Sequence, residues 1–163
     1  MFIYIVRHAW AYEHGDPRWP DDSQRPLEAE GAERFARVVQ ALAPRGFEPG
    51  VIATSPYVRC RQTADLMAVH AAKSPPVVEF DALKPGSDFE ALAAWSNQQK
   101  TVESLAWVGH APDVNWLAAT LVGDGAAAIR FAKGAVAAIR VHGEVGAGCG
   151  ELHWLATAKS LGV

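Results

Sequence analysis

Short apolar runs recur along this chain with helix-length stretches between them, and that alternation limits what it can fold into. Phe2-Ile3-Tyr4-Ile5-Val6, Val51-Ile52-Ala53-Thr54, Val77 to Phe80 and Ser104 to Val108 have the length and apolar content of buried strands. After the first, Glu28 to Leu42 places Ala32, Phe35, Ala36, Val39 and Leu42 at the spacing of a helix with one buried face, closed by Pro44 and Gly46. Helices are predicted from Ser55-Pro56 to about His70, from Ser87 or Asp88 to about Gln98, and from near Asp113 onward. Strands separated by helices pair in parallel, because the crossover between parallel neighbours needs about a dozen residues and a helix supplies them. The tail differs: Ala135 to Val141 and Glu151 to Leu155 flank a Gly-rich turn and read as an antiparallel hairpin. The expected fold is therefore a three-layer α/β/α sandwich with a mainly parallel sheet and an antiparallel C-terminal edge. The 163 residues fit a single domain, 1–163, able to bury a core without disulfides or a structural metal.

Three of the predicted strands stop at residues suited to anion chemistry: Arg7-His8, Ser55-Pro56-Tyr57-Val58-Arg59 and Gly109-His110. Ligands of parallel sheets bind outside the carboxyl ends of the strands, so these groups can share one pocket. Arg7 and Arg59 offer planar forks for phosphate oxygens. His8 offers an imidazole nucleophile whose second ring nitrogen can be fixed by a backbone carbonyl. His110 can donate to a phosphate oxygen and, when protonated, stabilise the charge that develops. Ser55 either caps the next helix or touches an anion oxygen, and the cap, with Pro56 at the first helical position, is favoured. The stretch from Trp10 to Pro26, with Gly15, Pro17 and Pro20, reads as a long functional loop. Trp10 and Trp19 on it form an apolar rim facing substrate, whereas Trp95, Trp107, Trp116 and Trp154 fall on element faces and are expected in the core.

Other chemistries find no support. A net charge of −3 gives no basic excess for nucleic acid. The five apolar residues before Arg7 are too few for a signal core and no later run approaches a membrane span, so a cytoplasmic protein without membrane contact is expected. Cys60 and Cys149 lack the spacing of a zinc or redox pair, no histidines stand at i, i+4 beside a carboxylate, and no phosphate-cradling glycine loop is present. Neither a metal nor a cofactor is expected. His14, His70, His142 and His153 lack comparable context and are read as surface or structural, and Arg61 as a solvent or ion-pair residue.

Arg7-His8-Ala9, Arg25-Pro26-Leu27, Gly31, Ser55-Pro56-Tyr57-Val58-Arg59-Cys60-Arg61-Gln62-Thr63 and Val108-Gly109-His110 together resemble the histidine phosphatase superfamily, in the order and spacing of its short bacterial phosphohistidine phosphatases of the SixA type. The resemblance implies a phosphoglycerate mutase-like fold and a covalent phosphohistidine intermediate at His8. It further implies phosphate binding by Arg7, Arg59 and His110, and substrate contact by Arg25. Two positions depart from the family pattern. Ala9 replaces a usual Gly, and Glu28 replaces a Thr or Ser that would cap the following helix. Larger relatives carry an acidic residue that protonates an ester leaving group; here Glu13, Asp16 and Asp88 qualify only by loop position. A phosphoramidate needs such an acid less, since its leaving imidazole has its own protonatable nitrogen. The leading expectation is a metal-independent phosphatase acting on a histidine-phosphorylated phosphotransfer protein. The alternatives are a small-molecule phosphomonoesterase of the same superfamily and a phosphate- or phosphoprotein-binding module without turnover.

Overall fold

A six-stranded sheet organises residues 1–163, all of which the computed structural model describes. The strands are β1 (Phe2–Arg7), β2 (Val51–Thr54), β3 (Val77–Glu79), β4 (Ser104–Gly109), β5 (Val136–Val141) and β6 (Gly150–Ala156), and they lie in the order β3-β2-β4-β1-β5-β6. The helices are α1 (Ala29–Leu42), α2 (Val58–His70), α3 (Phe89–Gln98), α4 (Asp113–Val122) and α5 (Ala158–Leu161). β1, β2, β3 and β4 pair in parallel, and β5 and β6 close the edge antiparallel, as the sequence predicts.

Alternation along each strand divides the core. Tyr4, Val6, Ala106 and Val108 face one side and pack with Phe35, Val38, Val39, Ala64 and Met67 from α1 and α2, together with Ala158 of α5. Ile3, Ile5 and Trp107 face the other side with Leu92 of α3 and Val114, Leu117 and Leu121 of α4. Both faces of the central strands are covered, which is why those strands read as continuous apolar runs.

The register matters most for chemistry. Arg7 lies opposite Gly109, and Thr54 lies opposite Val108. The residues that follow, His8, His110 and Ser55, therefore leave the sheet together at one end.

Several local expectations need correction. α2 begins at Val58 with Tyr57 as its N-cap and no side-chain cap bond, so Ser55 is not the N-cap; its hydroxyl accepts from His110 at 2.9 Å and from the Tyr57 N–H at 3.4 Å. Asp88, rather than Ser87, caps α3 by accepting from the Ala91 N–H at 3.0 Å. α1 starts at Ala29 without any cap from Glu28, its first turn closed by the Ala32 N–H on the Glu28 carbonyl. On α1 the buried face includes Val38, while Ala36 is half-buried. Trp116, expected in the core, is 44% exposed on α4. α5 escapes the sequence reading because four residues are too short to show a period.

Candidate active site

His8 follows β1 and is only 8% exposed. Its Nδ1 lies 2.8 Å from the Ala9 carbonyl oxygen. A carbonyl can only accept, so Nδ1 carries the hydrogen and the Nε2 lone pair is left unprotonated. The pocket holds that geometry through the backbone: the Ala9 N–H donates to Thr63 Oγ1 at 3.0 Å, and that hydroxyl donates to the Arg59 carbonyl at 2.7 Å. Gln62, one residue earlier on α2, accepts from the Leu27 N–H at 2.8 Å and pins the Arg25-Pro26-Leu27 segment. The run Arg59 to Thr63 thus anchors two loops to the first turns of α2, roles that spacing alone did not reveal.

His110 follows β4 and lies with its ring centroid 5.5 Å from that of His8. Arg59 Nη2 donates to its Nδ1 at 3.2 Å. Because a guanidinium only donates, Nδ1 is the acceptor, and Nε2–H donates to Ser55 Oγ at 2.9 Å. Burial lowers the His8 pKa to about 3, helped by the charges of Arg59 and Arg7 and by His110, while the Ala9 bond works the other way. Burial likewise takes His110 to about 3, with Arg59 and Arg25 adding to it against Asp22. Both imidazoles are neutral at pH 7, so His110 is not an imidazolium in the resting site.

The arginines crowd the same space. Arg59 is 4% exposed, and its Nη1 and Nη2 reach the Asp22 carbonyl at 2.7 Å and the Asp22 carboxylate at 2.9 Å. Arg25 Nε binds the other Asp22 oxygen at 2.8 Å while its Nη1 holds the Tyr12 carbonyl at 2.6 Å. Arg7 Nη1 donates to the Phe131 carbonyl at 2.8 Å. Arg7 Nε and Arg59 Nε are buried without a protein partner. Burial alone would raise the Asp22 carboxyl, but hydrogen bonds from Arg25 and His14 and the Arg59 charge hold it well below the usual carboxylate range.

These groups line a cavity of about 700 Å³ that also takes in Glu13, Asp113 and Lys133. The structure brings His8, Arg7, Arg59, His110 and Arg25 together, as the sequence reading requires. Ser55 is fully buried behind His110 and does not line the cavity, so direct substrate contact by Ser55 is corrected to support of His110. Among the acid candidates, Glu13 stands on the lip, Asp16 is bound bidentately by Arg18, and Asp88 is spent on capping α3. Trp10 packs beneath Arg34, 4.6 Å from its guanidinium, and does not line the cavity; Trp19 stacks on Tyr12 at 4.6 Å. Arg61 pairs with Asp65 and Glu79, as expected. Cys60 lies under His110, its sulfur 3.5 Å from Nε2, and burial pushes its thiol up to about 12, far from a thiolate nucleophile.

Sequence reading missed Asp22 and its partner His14, whose Nδ1 lies 2.9 Å from the carboxylate. Both sit in an irregular loop without a period, and the one available signal was a carboxylate three residues before Arg25.

Residues 3–140 match the histidine phosphatase superfamily (branch 1), and the chain belongs to that family. A protein of Picosynechococcus sp., described as uncharacterized, is 32% identical over 143 residues, covering 86% of this chain and 85% of its own. Among solved structures, the protein histidine phosphatase SixA complexed with tungstate superposes with a TM-score of 0.84 at 23% identity, over 99% of both chains. The α-ribazole phosphatase of Shigella flexneri superposes with a TM-score of 0.72 at 15% identity, over 97% of both. The fold is shared with both, and no helix of the chain is long and apolar enough to cross a membrane.

Proposed function

We propose that this member of the histidine phosphatase superfamily is a phosphohistidine phosphatase that acts on a histidine-phosphorylated phosphotransfer protein. The observation that carries the reading is the fixed tautomer of His8, which presents a neutral Nε2 lone pair among Arg7, Arg59 and His110. That lone pair attacks phosphorus in line with the departing imidazole; the new P–Nε2 bond forms as the substrate P–N bond breaks, and the substrate ring, protonated beforehand by solvent on its other nitrogen, leaves as neutral imidazole. Nδ1–H stays on the Ala9 carbonyl throughout, so the phosphorylated ring carries a positive charge that weakens its own P–N bond. Water then attacks phosphorus, and His8 returns neutral as phosphate departs.

Arg7 and Arg59 stabilise the equatorial oxygens; their buried Nε–H groups, unpaired within the protein, are donors of the kind a phosphate oxygen accepts. Once phosphate engages Arg59, His110 Nδ1 loses its donor and takes up a proton that it shares with a phosphate oxygen, while Ser55 keeps Nε2–H in place. The SixA structure of the same fold is a complex with tungstate, a phosphate mimic, which supports anion binding by this fold.

Support for a protein substrate comes from the leaving-group side. Asp22 is committed to Arg25, Arg59 and His14, and Asp113 accepts from the Gly86 N–H at 2.9 Å. A phosphoramidate suits a site whose carboxylates are so occupied. Glu13 on the lip favours the second reading, an ester phosphatase in which Glu13 protonates an alkoxide. Parallel turnover assays on a phosphohistidine protein and a panel of phosphate esters separate the two. Preference for the phosphoprotein is expected; clear preference for an ester, abolished by Glu13→Gln, would overturn the assignment.

A further inference from the structure

Beside the catalytic cavity lies a second one of about 350 Å³, floored by Trp10 and ringed by Arg34, Arg130, Lys133 and Lys159. Lys133 lines both cavities, so they adjoin at that side chain. The segment between them is built into the site: Phe131 accepts from Arg7, the Gly134 N–H donates to the His8 carbonyl at 3.1 Å, and the Arg7 N–H donates to the Ala135 carbonyl at 3.1 Å. Arg34 is stacked on Trp10 and donates to the Val163 main-chain oxygen at 3.0 Å. Arg130, Lys133 and Lys159 are exposed, and none meets a carboxylate within salt-bridge distance.

The gathering is notable in a chain whose net charge is −3. Elsewhere near the catalytic mouth most cations have a carboxylate within salt-bridge distance: Arg18 has Asp16, and Arg25 and Arg59 share Asp22. Around the second cavity Arg130, Lys133 and Lys159 present exposed charge without a carboxylate partner, beside the pocket that Lys133 also lines. Like charges held close together repel, and an acidic surface laid across them removes that repulsion.

We propose that this basic groove is the docking surface for an acidic face of the protein that carries the phosphohistidine. The inference rests on the phosphohistidine phosphatase reading and extends it: His8 and its neighbours recognise the phosphoryl group, while Arg130, Lys133 and Lys159 select the residues that flank it. A small phosphate donor occupies the catalytic cavity alone and gains nothing from the groove. Electrostatic complementarity of this kind acts chiefly on association, so it appears in kcat/KM and is weakened by salt.

The test uses the full chain and three substrates: phosphoramidate, and two phosphohistidine peptides of equal length flanked by Glu and Asp or by Lys. At low ionic strength the acidic peptide is expected to exceed the basic one in kcat/KM by roughly tenfold or more. The gap closes at 0.5 M salt and narrows in Lys159→Glu, whose turnover of phosphoramidate stays at the wild-type level and so reports an intact fold. Equal use of both peptides, or a preference that survives salt and charge reversal, overturns the docking surface and leaves the phosphatase reading standing. Hydrolysis of phosphoramidate with neither peptide cleaved overturns the protein-substrate reading and the groove with it.

Discussion

Asp22 places a carboxylate on two of the arginines that a phosphate would engage, which makes it an internal competitor for the anion. Asp22→Asn keeps much of the shape but removes the charge, and phosphate affinity is expected to rise roughly tenfold, about 1.4 kcal/mol. Isothermal titration with phosphate checks this; weaker binding would mean that Asp22 serves to orient the arginines instead. Ser55 acts one step behind the chemistry. Ser55→Ala leaves His110 Nε2–H with only the weak Cys60 sulfur acceptor in a buried setting, and kcat is expected to fall about tenfold while KM changes little. A change confined to KM would contradict a role through His110. At this scale the sequence exposed the residues with a motif around them, His8, Arg7, Arg59 and His110. It hid Asp22 because a loop carboxylate has no periodic signature, and it misjudged Ser55 because a serine before proline looks like a cap whether or not a histidine from another strand claims its hydroxyl.

Among the elements, α1 and the segment after β1 are held at unusually close range. A Cβ at Gly31 would lie 2.5 Å from the Trp10 carbonyl oxygen and 2.6 Å from the Trp10 Cβ, contacts with backbone that cannot swing aside. Gly31→Ala should therefore push α1 away from the strand that carries His8, costing roughly 1–3 kcal/mol in urea unfolding and lowering activity in parallel. Unchanged stability would show that the helix shifts freely. Strand and helix positions were largely legible, since β1, β2, β4 and β5 carry apolar content that only a sheet buried between helices can hide, while β6 is a mostly exposed edge. The exact start of α2 was not, because it depends on tertiary bonding of Ser55 rather than on propensity.

For the whole molecule, the two buried histidines of the pocket, His8 and His110, tie stability to pH. Each sits near 3 in the folded chain against an ordinary 6.5, so between those values the unfolded chain binds more protons at both positions. Stability is then full above about pH 6.5 and declines as pH falls toward 3, with Asp22 adding in the same direction below the ordinary carboxylate range. Urea midpoints between pH 7.5 and 4 should drop, and the slope should flatten in His8→Asn, His110→Asn; an unchanged slope would assign the acid sensitivity elsewhere. The central claim, that His8 Nε2 takes the phosphoryl group, is tested most directly by rapid acid-free quench with labelled phosphohistidine protein, followed by mass spectrometry of the N-terminal peptide. A stoichiometric, acid-labile and alkali-stable phosphate on His8, absent from His8→Ala, is the predicted result. Turnover without any such adduct, or retained activity in His8→Ala, would contradict the account.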